Sequence, residues 1–194
     1  MTISTRPMKA ADRSAWEDLF AGYAAFYKVD QTAKMRETVY GWLMDADHGS
    51  KCIVAQDEKG TIVGFTHYRS FVSQLRAMTN CFLDDLFVSP QARGTGAAQS
   101  LIKAVEAVAQ QKGWGTVRWI TADDNYRGRG VYDKLATRTS WGTYDIKGNG
   151  QYSASYVRLG MRGAAPHTPR SLFGKMKLRS SVSVFCDKGD QCRG

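Results

Sequence analysis

The feature that most constrains the fold is a strand, a glycine-containing turn and an amphipathic helix in direct succession. Residues 82–88 are a β-rich apolar run, and the turn after Pro90 contains Gly94 and Gly96. The following segment repeats apolar residues at helical spacing, and a second β-rich run lies at 116–121. A strand, a helix and a further strand form a βαβ crossover, so the sequence predicts a parallel strand pair.

The flanking segments predict the remaining elements of a mixed sheet. The predicted strands lie at 3–6, 52–56, 62–68, 82–88, 116–121 and 140–146. Of four predicted helices, three begin after Asp12, Asp30 and Gly96, and the fourth covers 125–136. A turn-forming segment between 56 and 62 predicts an antiparallel hairpin. The order β-α-α-β-β-β-α-β-α-β therefore predicts an α/β (α+β) domain with a mixed central sheet flanked by helices.

Composition divides the 194-residue chain into a domain and a tail. The net charge is +9, but residues 148–194 hold eight Lys or Arg against two Asp, which leaves +3 for residues 1–147. The tail is rich in Gly, Ser and Arg and lacks a sustained apolar pattern, so we predict that it is mostly disordered. The mild positive charge of the domain suits an anionic ligand.

Cysteine usage and hydropathy bear on location. Cys52 and Cys81 lie in predicted strands, whereas Cys186 and Cys192 lie in the tail. This pattern is neither a disulfide framework nor a metal-ligand spacing, so no metal is expected. No apolar run is long enough for a membrane span, and the first residues do not resemble a signal peptide. These observations predict a cytoplasmic protein that does not associate with membranes.

The turn at 91–96 has the composition of an anion-binding loop. Gly94 and Gly96 let backbone N–H groups approach a ligand closely, and Arg93 adds a positive charge. The start of the next helix contributes a partial positive charge. These residues favour a pyrophosphate site, and an ordinary tight turn between strand and helix is the alternative.

Together with the preceding strand, this loop resembles the central motif of the GCN5-related N-acetyltransferase (GNAT) superfamily. Gln91, Gly94 and Gly96 match its pattern Gln/Arg-x-x-Gly-x-Gly/Ala. The resemblance implies a GNAT-type fold and acetyl-CoA as co-substrate. It assigns pantetheine contacts to Leu86, Phe87 and Val88, and pyrophosphate contacts to Gln91, Ala92, Arg93, Gly94, Thr95, Gly96, Ala97 and Ala98.

A second match lies downstream, where Asn125 is followed seven residues later by Tyr132. By the resemblance, Asn125 hydrogen-bonds near the cofactor and Tyr132 lies beside the thioester sulfur as a general acid. The alternative for Tyr132 is a core aromatic on a helix face. Gly128 and Gly130 depart from the family pattern, since each weakens a helix by about 1 kcal/mol relative to Ala.

Asp84 and Asp85 are the candidate bases. A neutral amine must attack the thioester, yet an alkylammonium has a pKa of about 10.4, so a group must accept its proton. In a regular strand the two side chains point to opposite faces, which predicts that only one reaches the reaction centre. Leu-Asp-Asp-Leu-Phe-Val is similar to Leu-Glu-Asp-Phe-Phe-Val of the spermidine/spermine acetyltransferase branch. This resemblance favours Asp84 as the base, which would remove the proton directly or through a water. The alternative is that both aspartates only bind a cationic substrate or pair with Arg.

The resemblance therefore predicts an N-acetyltransferase (EC 2.3.1.-) that works by direct attack in a ternary complex. The expected acceptor is a small polyamine or amine metabolite, with Glu37 or Asp30 as further attractors of the cation. A protein lysine, peptide or N-terminal acceptor is the first alternative, and a non-catalytic acyl-CoA-binding or nucleic-acid-binding module is the second. Nucleic acid is disfavoured because the tail lacks interleaved aromatics. His67 is assigned to packing or to the surface. Acceptor specificity is assigned to the first two helices and to a loop at 71–80, and a homodimer is compatible with the family.

Overall fold

The computed structural model describes residues 2–146 as one mixed sheet with helices on both faces. The elements are β1 (Ser4–Pro7), α1 (Arg13–Phe26), α2 (Ala33–Met44), β2 (Lys51–Gln56), β3 (Ile62–Ser73), β4 (Met78–Val88), α3 (Ala97–Gln111), β5 (Val117–Arg118) and α4 (Tyr126–Tyr132). The strands run in the order β1-β2-β3-β4-β5, and every neighbouring pair is antiparallel except β4 and β5, which are parallel. The mixed sheet and its parallel pair are confirmed. No helix among residues 2–146 is both long and apolar enough to cross a bilayer.

The two faces of the sheet bury separate cores. On the α1 face, which α1 and α2 cover, Trp16 and Phe20 pack with Phe65 and Phe87. On the α3 face, the buried stripe of α3 packs against a second set of strand side chains. Alternating residues of a strand point to opposite faces, so the near-continuous apolar runs of β2 and β3 follow from burial on both sides.

The register between β3 and β4 slips by one residue. His67 pairs with Asp85, whereas the next residue, Tyr68, pairs with Leu83, so Asp84 is the extra residue of a β-bulge. Leu83 lies in the core of the α3 face, so alternation places Asp84 on the α1 face, where Asp85 also meets His67. The prediction that the two aspartates occupy opposite faces is therefore wrong, because a bulge interrupts the strict alternation.

The bulge also explains why β5 is short. The sequence predicts a strand over 116–121, but only Val117 and Arg118 pair with β4, opposite Cys81 and Phe82. A bulge bends its strand and increases the local twist. In the described part of the chain, β4 beyond the bulge has no strand beside it on this side, and the two chains diverge.

Two predicted elements near the end of the described chain are corrected. The last helix was expected over 125–136 but ends at Tyr132, and it contains Gly128 and Gly130. The expected strand at 140–146 does not form. Trp141, Tyr144 and Ile146 are 85%, 96% and 99% exposed, so no burial stabilises an extended strand there.

The segment 71–80 is also not an acceptor-selecting loop in the expected form. β3 continues to Ser73 and β4 begins at Met78, so only 74–77 form the turn of a long hairpin. The predicted tail at 148–194 and the domain boundary before it lie outside the described residues and stay predictions.

Candidate active site

A cleft of about 860 Å³ opens where β4 and the chain after β5 diverge. One wall is the end of β4 with the glycine loop and the start of α3, and the other is the segment around α4. The sequence-predicted residues that line it are Leu86, Phe87, Val88, Ala92, Arg93, Gly94, Gly96, Ala97, Ala98, Asn125 and Tyr132. Two segments separated by some thirty residues in the chain thus face one cavity.

The glycine loop directs backbone donors into this cleft. Gly94 and Gly96 have φ of +87° and +89°, a conformation that side chains other than glycine disfavour. Gly96 is the N-cap of α3, and its carbonyl accepts the first helical hydrogen bond from Ser100 at 2.9 Å. The N–H groups of the first turn have no partner within the helix, and the residues of this turn line the cleft. This arrangement suits an anion.

Two predicted loop residues do not line the cleft. Thr95 instead donates its hydroxyl to the carbonyl of Ala92 at 2.7 Å, which braces the loop. Gln91 lines a neighbouring cavity of about 410 Å³ between α1 and the loop, and Arg93 and Phe87 line both cavities. The structure therefore places these two residues in the scaffold of the loop and behind it.

The edge of β4 presents backbone groups to the cleft. Ser89 donates its N–H to the carbonyl of Val63 on β3 at 2.9 Å. In an antiparallel ladder, alternate residues direct their N–H and C=O groups to opposite sides. Leu86 and Val88 therefore direct theirs away from β3, towards the side on which β5 has already ended.

Asn125 begins α4 and holds it in place. Its side-chain carbonyl accepts the N–H of Gly128 at 3.1 Å, and its amide donates to Thr121 at 2.9 Å. A Cβ on Gly128 would lie 2.6 Å from the amide nitrogen of Asn125, so this glycine makes room for the cap. The departure from the family pattern at Gly128 thus has a local structural reason.

Tyr132 ends α4 and lines the cleft from the side opposite β4. Its ring meets Trp119 edge to face, with 5.5 Å between centroids. Burial, with a smaller contribution from Tyr27, raises the pKa of Tyr132 to about 12. The phenol is therefore protonated at neutral pH, as a proton donor must be.

The two aspartates have different partners. Asp84 accepts from Arg69 at 3.1 Å, in a pair whose side chains are 32% and 46% exposed. Burial raises the pKa of Asp84, and Arg69 opposes this shift. Asp85 meets the imidazole Nδ1 of His67 at 2.9 Å. Neither aspartate lines the cleft itself, although Leu86 directly follows them.

Two further acids proposed as cation attractors do not join this cluster. Glu37 pairs with Arg13, which is also paired with Glu17. Asp30 is exposed in the connection between α1 and α2.

Comparison with known families shows the family of this chain. A sequence model described as "Acetyltransferase (GNAT) family" matches residues 16–136, more than half of the chain. The chain belongs to the GNAT family. The match covers α1, the bulged β4, the glycine loop and α4.

Named relatives of this GNAT protein are acetyltransferases. The D-amino-acid N-acetyltransferase HPA3 of Saccharomyces cerevisiae is 28% identical over 147 residues, covering 75% of this chain and 91% of HPA3. The thialysine N-epsilon-acetyltransferase of Caenorhabditis elegans is 26% identical over 125 residues, covering 62% of this chain and 73% of the relative. The solved structure of AAC(6')-Iy in complex with a bisubstrate analog of CoA and acetylneamine superposes with a TM-score of 0.67. It is 19% identical and covers 77% of this chain and all of that one, so it shows a shared fold.

The GNAT cleft fits acetyl-CoA, the co-substrate of the family. The donors at the start of α3 suit a pyrophosphate, and three cationic side chains, Arg93, Arg127 and Lys134, line the same cavity. The free edge of β4 offers alternating donors and acceptors to an amide-containing arm. Among residues 2–146, no group of three or more His, Cys, Asp or Glu side chains is arranged to hold a metal.

Sequence reasoning missed several residues of the GNAT site. Tyr23 and Phe26 of α1 and Tyr27, the residue that follows it, reach the cleft, as do Arg127 and Lys134 around α4. The helical repeat of aromatic residues in α1 marked a buried stripe, but nothing in it distinguished core residues from cleft residues. Arg127 lies in α4 and Lys134 lies just after its end, and their positive charge beside the Asn125 motif is the signal that could have marked them.

Proposed function

We propose that this chain is an acetyl-CoA-dependent N-acetyltransferase that acts on the primary amine of a small metabolite. The observation that carries the proposal is the cleft in which the glycine loop, the free edge of β4 and Tyr132 meet. A bulge places two carboxylates on the α1 face immediately before this edge. Family membership supports the reaction class, and the site residues support its mechanism.

Acetyl-CoA is held by backbone and cationic groups. The first-turn N–H groups of α3 and the side chain of Arg93 bind the pyrophosphate, and Arg127 and Lys134 add positive charge. The outward N–H and C=O groups of Leu86 and Val88 bind the pantetheine arm. Asn125 contributes by fixing α4, because its side-chain carbonyl and amide are both engaged in the cap.

Asp84 accepts the proton of the incoming ammonium, directly or through a water. Its pKa is raised by burial, which strengthens it as a base compared with an exposed aspartate. Asp85 contributes a second negative charge beside it and holds the cation. The neutral amine nitrogen then attacks the thioester carbon, with the two atoms held at about 3–3.5 Å before bond formation.

Backbone donors and Tyr132 complete the transfer. One of the two outward N–H groups of Leu86 and Val88 stabilises negative charge on the carbonyl oxygen, and the remaining groups of this edge hold the pantetheine arm. As the carbon–sulfur bond breaks, Tyr132 donates its phenolic proton to the sulfur. The new amide nitrogen releases its remaining extra proton to solvent, and Tyr132 regains a proton from solvent. The reaction is a direct transfer between the two substrates and requires no covalent enzyme intermediate.

The acceptor is a small amine, for which amino acids and polyamines are the two candidate classes. HPA3 and the thialysine enzyme are both named for amino-acid acceptors, which carry a carboxylate as well as an amine. The pair of Asp84 and Asp85 suits the ammonium of either class, and Arg69 offers a cation next to them for a carboxylate. We place amino acids first for this reason. A cytoplasmic location and a homodimer are retained as predictions.

A thiol-release assay with acetyl-CoA and a panel of amines tests the proposal. The panel holds D-amino acids, diamino acids, spermidine and a basic peptide, and each is run with the wild type and with Asp84→Asn. We expect turnover on one small amine that falls at least tenfold in Asp84→Asn. Turnover on the peptide alone would assign a polypeptide acceptor, and tight acetyl-CoA binding without turnover on any amine would contradict the proposed activity.

A further inference from the structure

A buried histidine connects α1 to the acid pair. His67 is 5% exposed and lies on β3, opposite Asp85 on β4. Its Nδ1 lies 2.9 Å from a carboxylate oxygen of Asp85, and its Nε2 lies 2.9 Å from the indole nitrogen of Trp16, which is fully buried. Both ring nitrogens are therefore engaged, each by a group from a different element.

The chemistry of these partners determines the tautomer. An indole N–H can only donate, so Nε2 of His67 must accept and carries no proton. A carboxylate can only accept, so Nδ1 carries the proton and donates it to Asp85. The ring is thus a neutral imidazole of one defined tautomer. The aromatic neighbours Phe20 and Phe65, at 5.2 and 4.7 Å between centroids, fix its plane.

Asp85 keeps one oxygen for a ligand. The hydrogen bond from His67 occupies one carboxylate oxygen, Oδ2, and within residues 2–146 the other has no hydrogen-bond partner. The side chain is 28% exposed, so a small molecule can reach it. Its neighbour Asp84 is occupied by Arg69 instead, so the two carboxylates receive different donors.

We propose that His67 is a positioning residue: held by Trp16, it orients Asp85 so that the free oxygen of Asp85 anchors the ammonium group of the acceptor. This inference rests on the proposed acetyltransferase function and assigns the two acids different tasks. Asp84 takes the proton, and Asp85 binds the cation. Because imidazole donation is directed at one oxygen, the geometry of the anchor depends on the tautomer that Trp16 enforces.

The kinetic test compares two replacements of His67. His67→Phe keeps an aromatic ring in an aromatic cluster but removes the donor. His67→Asn places an amide N–H near the position of Nδ1 and restores donation to Asp85. We expect His67→Phe to raise the acceptor KM about tenfold while kcat and the acetyl-CoA KM change less than twofold, and His67→Asn to recover most of the loss.

Matched controls separate this role from general packing. His48 stacks on Trp42 and lies outside the cluster, so His48→Phe is expected to leave both KM values unchanged. Asp85→Asn removes the anchor's charge and should raise the acceptor KM at least as much as His67→Phe. Equal losses in the Phe and Asn variants of His67, or parallel increases in both KM values, would overturn the proposal.

A spectroscopic readout keeps the inference separable from the enzymatic proposal. The chain has three histidines, and the signals of His67 in a histidine-labelled ¹⁵N spectrum are assigned by their loss in His67→Asn. We expect the Nδ1–H tautomer in the wild type and a change in Trp16→Phe, which lacks the indole donor. An Nε2–H tautomer in the wild type would overturn the positioning role even with acetyl transfer intact, whereas no turnover with an Nδ1–H tautomer would place the failure in the proposed function.

Discussion

At the scale of single residues, the site depends on where two neighbouring carboxylates point and on what each one meets. Asp84 and Asp85 are adjacent in sequence, but the bulge turns both to the α1 face. There Asp84 meets Arg69, whose side chain is 46% exposed to solvent, and Asp85 meets a buried imidazole. A rigid donor fixes geometry, whereas a solvated ion pair exchanges readily with a substrate.

The pH dependence of turnover should report Asp84. Burial raises its pKa above the ordinary value of 3.8, so the carboxylate is protonated, and inactive as a base, at a higher pH than an exposed aspartate. We expect the acid limb of kcat/KM to lie above pH 3.8 and to disappear in Asp84→Asn. Asp123→Asn, at an exposed aspartate paired with Arg138, should retain the limb and serves as the control. An unchanged limb in Asp84→Asn would assign it to another group.

At the scale of elements, caps and turns at the ends of helices position the site. The short α4 carries Tyr132 at its last residue and depends on the cap from Asn125. Asp12 precedes α1, and its carboxylate does not cap the helix. It accepts two hydrogen bonds from Arg6 of β1, at 2.6 and 2.8 Å, and one from the N–H of Lys9.

Two glycines of α4 should respond in opposite ways to alanine. A Cβ on Gly130 meets no atom within 4 Å, so Gly130→Ala should stabilise the fold by about 0.5–1 kcal/mol through helix propensity. A Cβ on Gly128 would collide with the Asn125 side chain, so Gly128→Ala should destabilise the fold and loosen α4. Thermal unfolding of the two variants measures the difference. Equal shifts in both would show that the Asn125 cap is absent.

The Arg6–Asp12 contact should make stability depend on acid pH. The hydrogen bonds from Arg6 lower the pKa of Asp12, and burial raises it by less. The pKa of Asp12 therefore lies below its ordinary value of 3.8. Its contribution is therefore present above pH 3.8 and is lost as the pH falls through the lower folded-state value. Asp12→Asn should destabilise the fold by about 1–3 kcal/mol near pH 7 and by less at low pH. Urea unfolding at several pH values tests this, and a constant difference would contradict it.

At the scale of the whole molecule, one mixed sheet divides the tasks between its faces and its open side. The α1 face carries the acids, and the divergence of β4 from the chain after β5 opens the cleft between the end of β4 and α4. The positive charge of the cleft comes from two separate segments, the glycine loop and the segment around α4, so only the folded domain assembles it.

Binding of acetyl-CoA should therefore weaken with salt. Arg93, Arg127 and Lys134 line the cleft, and screening reduces their attraction for the phosphates. We expect the Kd measured by calorimetry to rise with ionic strength, and to rise less steeply in Arg127→Gln. Lys103→Gln removes an exposed charge of α3 that does not line the cleft and should keep the wild-type slope. Identical slopes in all three proteins would contradict this assignment.

Features encoded in one contiguous segment could be predicted from the sequence, whereas features that depend on contacts between distant segments could not. The β4–loop–α3 unit is a contiguous pattern, so its strand and its glycine turn were predicted from the sequence. The resemblance to a family motif implied most of its cleft-lining residues, but Gln91 and Thr95 do not line the cleft. The bulge, the short β5 and the missing strand at 140–146 depend on register with distant strands, which local patterns do not encode. The contact of Trp16 with His67 spans 51 residues, and no sequence signal marked His67 as more than a packed or surface residue.

The most direct test of the central claim compares turnover and acetyl-CoA binding in the wild type and in Tyr132→Phe. The variant keeps the aromatic ring against Trp119 and removes only the phenolic proton donor. With the best amine of the panel, we expect kcat to fall by about 10²–10⁴-fold, the range of general acid catalysis, while the Kd for acetyl-CoA and the Tm stay near wild type. A kcat within threefold of the wild type, with acetyl-CoA still bound, would contradict the role of Tyr132 and the placement of the reaction in this cleft.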